Sequence, residues 1–141
     1  MNTSFEEKSV WIQLVSMVVV LGAYFIIAGA MLAKGVTTIT AYVPLFIVTV
    51  CLLVIVLVAG HVVAAIVNRP EGRDERDKLI AWRAESNSSW ILGVGVIAAI
   101  TGLAASIDNV WIAHWLLLSM LLSEVTKFSF QIVYYRRGIG M

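Results

Sequence analysis

The sequence predicts an all-α membrane protein in which four transmembrane helices form a single domain. Hydrophobic residues make up 60% of the 141 residues, whereas charged residues make up only 13%. Apolar runs of about 18 residues or more recur four times, and each is long enough to cross a hydrocarbon core of about 30 Å. Composition and run length together place the chain in the polytopic membrane class.

The four predicted spans follow one another with short connections, apart from one longer break. They cover about 10–33, 42–67, 88–106 and 109–135. The residues before the first span form a short polar tail. Proline at position 44 suits the first turn of the second span, where a missing N–H costs nothing. The segment Asn-Arg-Pro-Glu-Gly after the second span has the composition of a helix break.

A densely charged segment at 73–87 precedes the third span. Arg73 and Asp77, and likewise Asp74 and Lys78, stand one helical turn apart, a spacing that stabilises a helix by a few tenths of a kcal/mol per pair. Proline and glycine are absent until Gly93, so we expect one long third helix that extends into the cytoplasm. The mixed charges either form a solvated, self-paired helix end or a docking surface for a protein partner. The candidate docking residues are Arg73, Asp74, Glu75, Arg76, Asp77 and Lys78.

The distribution of basic residues predicts the orientation in the membrane. Five Lys and Arg residues lie in 68–87 and two at the C-terminus, against one in 34–41 and none in 107–109. By the positive-inside rule, both termini and the charged segment are predicted to be cytoplasmic.

Two charged residues, Glu124 and Lys127, lie deep within the last apolar run. Each costs roughly 2.5–3.5 kcal/mol on insertion scales, so such groups need a partner, a cavity or a function. Helical turns counted from the span ends place four further polar side chains at membrane depths near those of Glu124 and Lys127. They are Gln13, Tyr24, His61 and Gln131. Glu124, Lys127 and Gln131 also lie on one face of the last helix. The predicted ligand-binding strip comprises Gln13, Tyr24, His61, Glu124, Lys127 and Gln131.

This polar strip has two interpretations. In the first, it binds a lipophilic or cationic small molecule, or passes protons, with Glu124 as the charge-bearing group and His61 conferring pH sensitivity. In the second, Glu124 and Lys127 neutralise each other and the remaining groups form hydrogen bonds that fix the helix register.

Several classes of function find no support. A formal charge of +1 argues against a nucleic-acid surface. The only cysteine, Cys51, precludes an intrachain disulfide and is predicted to be buried. His61 and His114 differ in depth by roughly 15–20 Å, too far to bracket one haem, and no zinc-ligand spacing occurs. Without a nucleophile motif, we expect neither enzymatic activity nor a cofactor.

Two local environments also follow from the sequence. His114, flanked by tryptophans near the end of a span, is predicted to hydrogen-bond to water or lipid headgroups. Gly93 and Gly95, like Gly22 and Gly29 on the first span, are predicted to allow close contact between helices.

Several segments resemble a family of small four-span prokaryotic membrane proteins known only as a domain of unknown function. The matching segments are Phe5-Glu-Glu-Lys-Ser-Val-Trp11, Asp74-Glu-Arg-Asp-Lys-Leu-Ile80, Glu124-Val-Thr-Lys127 and Tyr134-Tyr-Arg-Arg137. The resemblance covers nearly the whole chain and implies a prokaryotic cytoplasmic membrane. It also implies a helix-turn-helix regulator as a partner, since genes for such regulators accompany the family. It supplies no catalytic residues.

These observations lead to one main hypothesis and two alternatives. The chain is expected to be a non-enzymatic membrane sensor, and a homodimer, that binds a small molecule near Glu124 and signals through its charged segment. The first alternative is a small proton-coupled transporter in which Glu124 alternately holds a proton and a cationic substrate. The second is an accessory subunit of a larger membrane complex.

Overall fold

The structure, a computed structural model, describes residues 5–67 and 74–138 and is built from four long helices. The helices are α1 (Phe5–Ala33), α2 (Val43–Val67), α3 (Glu75–Ala104) and α4 (Asn109–Arg137), with a short 3-10 helix (Ile39–Tyr42) before α2. All four are long and apolar enough to cross a membrane, and no strand occurs in these residues. The predicted fold class, an all-α bundle of four membrane-spanning helices, is confirmed.

The helices pack in the order α2–α1–α4–α3, and the α3–α4 interface is the most extensive. α2 packs mainly on α1 and leaves most of its apolar surface exposed. Such a surface suits contact with acyl chains. The prediction that Cys51 is buried is wrong, because Cys51 lies on this exposed surface of α2. The homodimer stays a prediction.

Three polar contacts bring the start of α1, the end of α2, the start of α3 and the end of α4 to one end of the bundle. Ser9 of α1 meets His61 of α2, Tyr135 of α4 meets Asp77 of α3, and Arg136 of α4 meets Glu7 of α1. We call this the terminal end, and the opposite end, with the connections at 34–42 and 105–108, the loop end. The cytoplasmic location of the terminal end stays a prediction.

α3 runs without interruption from the charged segment into its apolar part, as predicted. Asp74 is the N-cap, and its Oδ1 accepts a hydrogen bond from the Asp77 N–H at 2.7 Å. The Asp77 carboxylate in turn accepts from the Asp74 N–H at 3.3 Å, completing a capping box. A cap of this kind stabilises a helix by about 1 kcal/mol. Arg73 lies outside the described residues.

One face of α3 is packed tightly against α4. Ile80, Ala84 and Ser88 follow one another at intervals of four residues and are almost fully buried. The Ser123 hydroxyl of α4 donates to the Ser88 carbonyl at 3.2 Å. This interface holds the first turns of α3 against α4 at the terminal end.

Only part of the predicted glycine contact exists. A Cβ atom added at Gly95 would overlap the Ser119 side chain of α4, so this glycine does allow close helix contact. Gly22, Gly29 and Gly93 face open space, and the prediction for these three is wrong. Glycine content indicates that close contact is possible, whereas the direction in which each residue points depends on helix rotation.

Candidate functional site

A polar cavity of about 210 Å³ lies between α1, α3 and α4 at the terminal end. Its lining combines carboxylates, amides, hydroxyls and one ammonium group. The lining residues are Glu6, Ser9, Val10, Gln13, Asp77, Ala81, Glu85, Lys127, Phe128, Gln131 and Tyr135. Gln13, Lys127 and Gln131 of the predicted ligand-binding strip therefore meet around one space.

Gln131 is a buried polar residue of this cavity. Only 8% of the residue is exposed, and it lines the cavity from α4. Within residues 5–67 and 74–138, no buried side-chain nitrogen or oxygen atom lacks a hydrogen-bond partner. Because an amide can both donate and accept hydrogen bonds, Gln131 could orient a polar group in the cavity.

Lys127 and Glu124 form a salt bridge one helical turn apart on α4. The side chains are 19% and 30% exposed, respectively, and Lys127 lines the cavity whereas Glu124 does not. The Lys127 ammonium also lies 5.0 Å from the centroid of the Phe128 ring, a cation–π distance. Glu124 therefore acts as the counter-ion of Lys127, and Lys127 presents the charge to the cavity.

His61 and Gln13 join α2 to α1 through a serine that the sequence analysis missed. The imidazole Nδ1 lies 2.7 Å from the Leu57 carbonyl oxygen, which can only accept, so Nδ1 carries the hydrogen. Nε2 then accepts from the Ser9 hydroxyl at 2.9 Å. The Gln13 amide donates to the Ser9 oxygen at 3.2 Å and lies 3.5 Å from Nε2.

Ser9 is at once a cavity residue and the contact to α2. The sequence feature that could have identified Ser9 is its position one turn before Gln13 on the same helix face. It was missed because the first nine residues were predicted to be a tail, whereas α1 begins at Phe5.

Tyr24 lies away from the polar cavity and pairs with His114. Its hydroxyl is 3.2 Å from His114 Nε2, and both residues are buried. The His114 ring stacks on Tyr24 at 5.8 Å between centroids and meets the Tyr42 ring edge-on at 4.8 Å. The prediction that His114 contacts water or headgroups is therefore wrong, because aromatic rings from α1 and the 3-10 helix enclose it.

The charged segment of α3 divides between two environments. Asp77, Ala81 and Glu85, spaced four residues apart, line the cavity. Glu75, Arg76 and Lys78 are exposed at the terminal end. The Asp77 carboxylate also accepts a hydrogen bond from the Tyr135 hydroxyl at 2.9 Å. Of the predicted docking residues, Asp74 and Asp77 thus have structural contacts, whereas Glu75, Arg76 and Lys78 face outward.

The cavity can bind a polar or charged group but offers no preformed metal site. Across the described part of the chain, no three His, Cys, Asp or Glu side chains converge on a position that would hold a metal ion. Comparison with protein-family models, curated proteins and solved structures finds no match. Fold and site define a four-helix, multi-pass membrane protein with a polar cavity at its terminal end. The resemblance to the family of unknown function stays a prediction.

Proposed function

We propose that this chain is a membrane receptor that binds a small organic cation in the polar cavity and signals through the first turns of α3. One observation carries the proposal. The cavity is lined on one side by Gln13, Lys127 and Gln131 and on the other by the α3 face of Asp77 and Glu85. A ligand in this space would touch both the membrane bundle and the charged segment.

The charges around the cavity favour a cationic ligand. Among the described residues, the α3 carboxylates of Asp77 and Glu85 line it opposite the ammonium of Lys127, which already has Glu124 as its counter-ion. Opposite charges at contact distance attract more strongly where water is partly excluded. The volume of about 210 Å³ is below the 300 Å³ or so at which drug-sized pockets begin, so the ligand is small. The Gln131 amide provides a hydrogen bond that orients it.

The signal would pass through the contact between α3 and α4. The Tyr135–Asp77 hydrogen bond borders the cavity, so an occupant that attracts the Asp77 carboxylate competes directly with it. The opposite surface of the same turns exposes Glu75, Arg76 and Lys78, a mixed-charge pattern suited to a specific protein contact. A soluble helix-turn-helix regulator is the partner that the family resemblance implies.

The transporter alternative gains less support from this geometry. It assigns substrate binding to Glu124, which is paired with Lys127 and does not line the polar cavity. A transporter would also carry the cation across the bilayer. Flux of the cation into protein-containing vesicles would therefore favour transport over sensing.

Ligand binding is tested with the full chain in lipid nanodiscs, using n-butylammonium as the probe and n-butanol as its uncharged match. We expect butylammonium, but not butanol, to raise the midpoint of thermal unfolding. Gln131→Leu should weaken this stabilisation, whereas Thr101→Val, an exposed position near the loop end, should preserve it. Equal responses to the two probes would contradict the proposal that charge selects the ligand.

Signalling is tested by amide hydrogen exchange in the same nanodiscs. We expect butylammonium to change exchange in residues 75–85 and to leave the α2 amides unaffected. A photo-reactive side chain at Arg76 should then cross-link a soluble protein from the native host, while one at the apolar, exposed Ile97 should not. If butylammonium bound without changing hydrogen exchange in 75–85, the binding site would be retained but signalling through α3 would be rejected.

A further inference from the structure

Arginine and carboxylate side chains occupy different sides of α3 at the terminal end. At 100° per residue, Arg83, Asn87 and Trp90 fall on one stripe of the helix about 60° wide. Asp77 and Glu85 lie outside this stripe and line the polar cavity. The stripe therefore runs along the edge of the α3–α4 interface that faces away from the cavity, and among the described residues of α3 it carries no carboxylate.

The matching edge of α4 carries Tyr134 and Arg137. The Asn87 amide donates a hydrogen bond to the Tyr134 hydroxyl oxygen at 2.8 Å and so joins the two helices. Arg137 follows Tyr134 by three residues and therefore lies on the same side of α4. Arg83 precedes Asn87 by one helical turn. We call Arg83, Asn87, Tyr134 and Arg137 the interfacial cluster.

The interfacial cluster has hydrogen-bond donors to spare. The Tyr134 oxygen accepts from Asn87, and its own hydrogen has no acceptor among the residues that the structure describes. Within the same residues, neither Arg83 nor Arg137 forms a salt bridge. A guanidinium offers five N–H donors and no acceptor. The cluster thus presents positive charge and donors, which match the oxygen atoms of an anion.

The surface next to the cluster, on its loop-end side, is apolar and aromatic. Trp90 of α3 is exposed, and the Phe130 ring of α4 stacks on Tyr134 at 6.0 Å between centroids. Further along α3, Val94 and Ile97 are also exposed. Tryptophan and tyrosine are enriched at the depth where lipid headgroups meet acyl chains. The cluster therefore lies at headgroup depth, directly beside a surface suited to acyl chains.

We propose that the interfacial cluster binds an anionic phospholipid. Arg83 and the Tyr134 hydroxyl hold the phosphate, Arg137 adds positive charge on the outer side, and the acyl chains lie along Trp90 and Phe130. Hydrogen bonds from arginine to phosphate are charge-assisted and roughly twice as strong as neutral ones. A choline headgroup would place its own cation near two arginines, so a lipid with net negative charge is favoured.

A soluble phosphate ester offers the same headgroup chemistry without the chains. The lipid is the better match because the cluster adjoins exposed apolar surface on both α3 and α4, which a soluble ester would leave unused. This proposal is independent of the receptor proposal, because the polar cavity lies on the other side of α3 and favours a cation.

The test titrates the full chain, in dodecyl maltoside micelles, with phosphatidylglycerol or with phosphatidylcholine of the same acyl chains. Native mass spectrometry measures the bound lipid. We expect phosphatidylglycerol to bind about tenfold more tightly, and glycerol phosphate at the same concentration not to displace it. Equal affinities, or no binding of either lipid, would overturn the proposal. Displacement by glycerol phosphate would overturn it in favour of a site for soluble phosphate esters.

Three variants locate the binding. Arg83→Gln should weaken phosphatidylglycerol binding about fivefold, the contribution of one basic residue near an anionic lipid surface. Lys34→Gln removes the same charge from an exposed position at the loop end and should leave the preference unchanged. Tyr134→Phe, which removes the hydroxyl donor, should also lower the preference. Equal losses in Arg83→Gln and Lys34→Gln would show that net charge, and not the cluster, selects the lipid. The wild-type comparison of the two lipids keeps the proposal falsifiable if a variant fails to fold.

Discussion

The two ends of the bundle use the same histidine arrangement in opposite surroundings. His61 and His114 each donate from Nδ1 to the carbonyl one turn earlier, at 2.7 Å in both cases. Each then accepts at Nε2 from a hydroxyl of α1, Ser9 at the terminal end and Tyr24 at the loop end. α1 is thereby joined to α2 at one end and to α4 at the other.

The surroundings of the two histidines differ. Ser9, the partner of His61, lines the polar cavity, whereas aromatic rings enclose His114 beside an apolar cleft. The hydrogen bonds of the histidines alone do not predict function. The charged neighbours at the terminal end and the aromatic neighbours at the loop end give the two ends different chemical surroundings.

Removing a charge at the terminal end should have the largest effect on stability. Lys127→Met leaves Glu124 without its counter-ion in the apolar part of the bundle, and we expect a loss of about 3 kcal/mol in the free energy of unfolding. Reversible unfolding in bicelles measures this loss. The double variant Lys127→Met/Glu124→Gln should recover most of it, and a double variant as unstable as the single one would show that Glu124 is not the source.

The second-largest effect is expected at the α3–α4 interface that links the two ends. Gly95→Ala adds a Cβ that overlaps Ser119, and overpacking of this kind costs about 1–3 kcal/mol. Gly93→Ala, two residues earlier and facing open space, should be neutral or slightly stabilising because alanine favours a helix. The same unfolding assay compares the two. Equal losses would mean that the interface is looser than the structure indicates.

The positions of the helices along the chain were easier to predict from the sequence than the alignment of one helix against another. Long apolar runs predicted four spans, and the absence of Gly and Pro between the charged segment and Gly93 predicted a continuous α3. Of the predicted strip, Gln13, Lys127 and Gln131 line one cavity at the terminal end, while the ligand-binding role of the strip stays a prediction. These predictions depend only on local composition and helical periodicity.

The partner of Tyr24 could not be predicted in the same way. The apolar run predicts a first span from about residue 10, whereas α1 begins at Phe5, and its antiparallel register places Glu7 against Arg136. Val10 packs with Phe128 and Ile132 in the same register, which carries Tyr24 past Glu124 to His114. The depth of a residue in the membrane is counted from the predicted end of its helix, so an error in that end shifts the depth by the same amount. Helix ends are also the hardest feature to predict from sequence.

The loop-end histidine should be the more sensitive of the two to loss of its hydroxyl partner. Tyr24→Phe leaves His114 Nε2 without a donor among aromatic rings, and we expect a loss of about 1.5 kcal/mol, near the upper limit for hydrogen bonds within membranes. The unfolding assay in bicelles measures it. Phe25→Leu, which alters a neighbouring ring but not this hydrogen bond, controls for a general loss of aromatic packing.

The smallest effect is expected for Ser9→Ala at the terminal end. His61 Nε2 again loses a hydroxyl donor, but the Gln13 amide lies 3.5 Å away and the adjoining cavity is polar, so a replacement donor is at hand. We expect a loss of about 0.5 kcal/mol, close to the average for a hydrogen bond between membrane helices. If Ser9→Ala lowered the free energy of unfolding as much as Tyr24→Phe, the polar surroundings of His61 would not compensate for the lost hydrogen bond. A double variant, Ser9→Ala/Gln13→Leu, removes the replacement donor as well, and its loss should approach that of Tyr24→Phe.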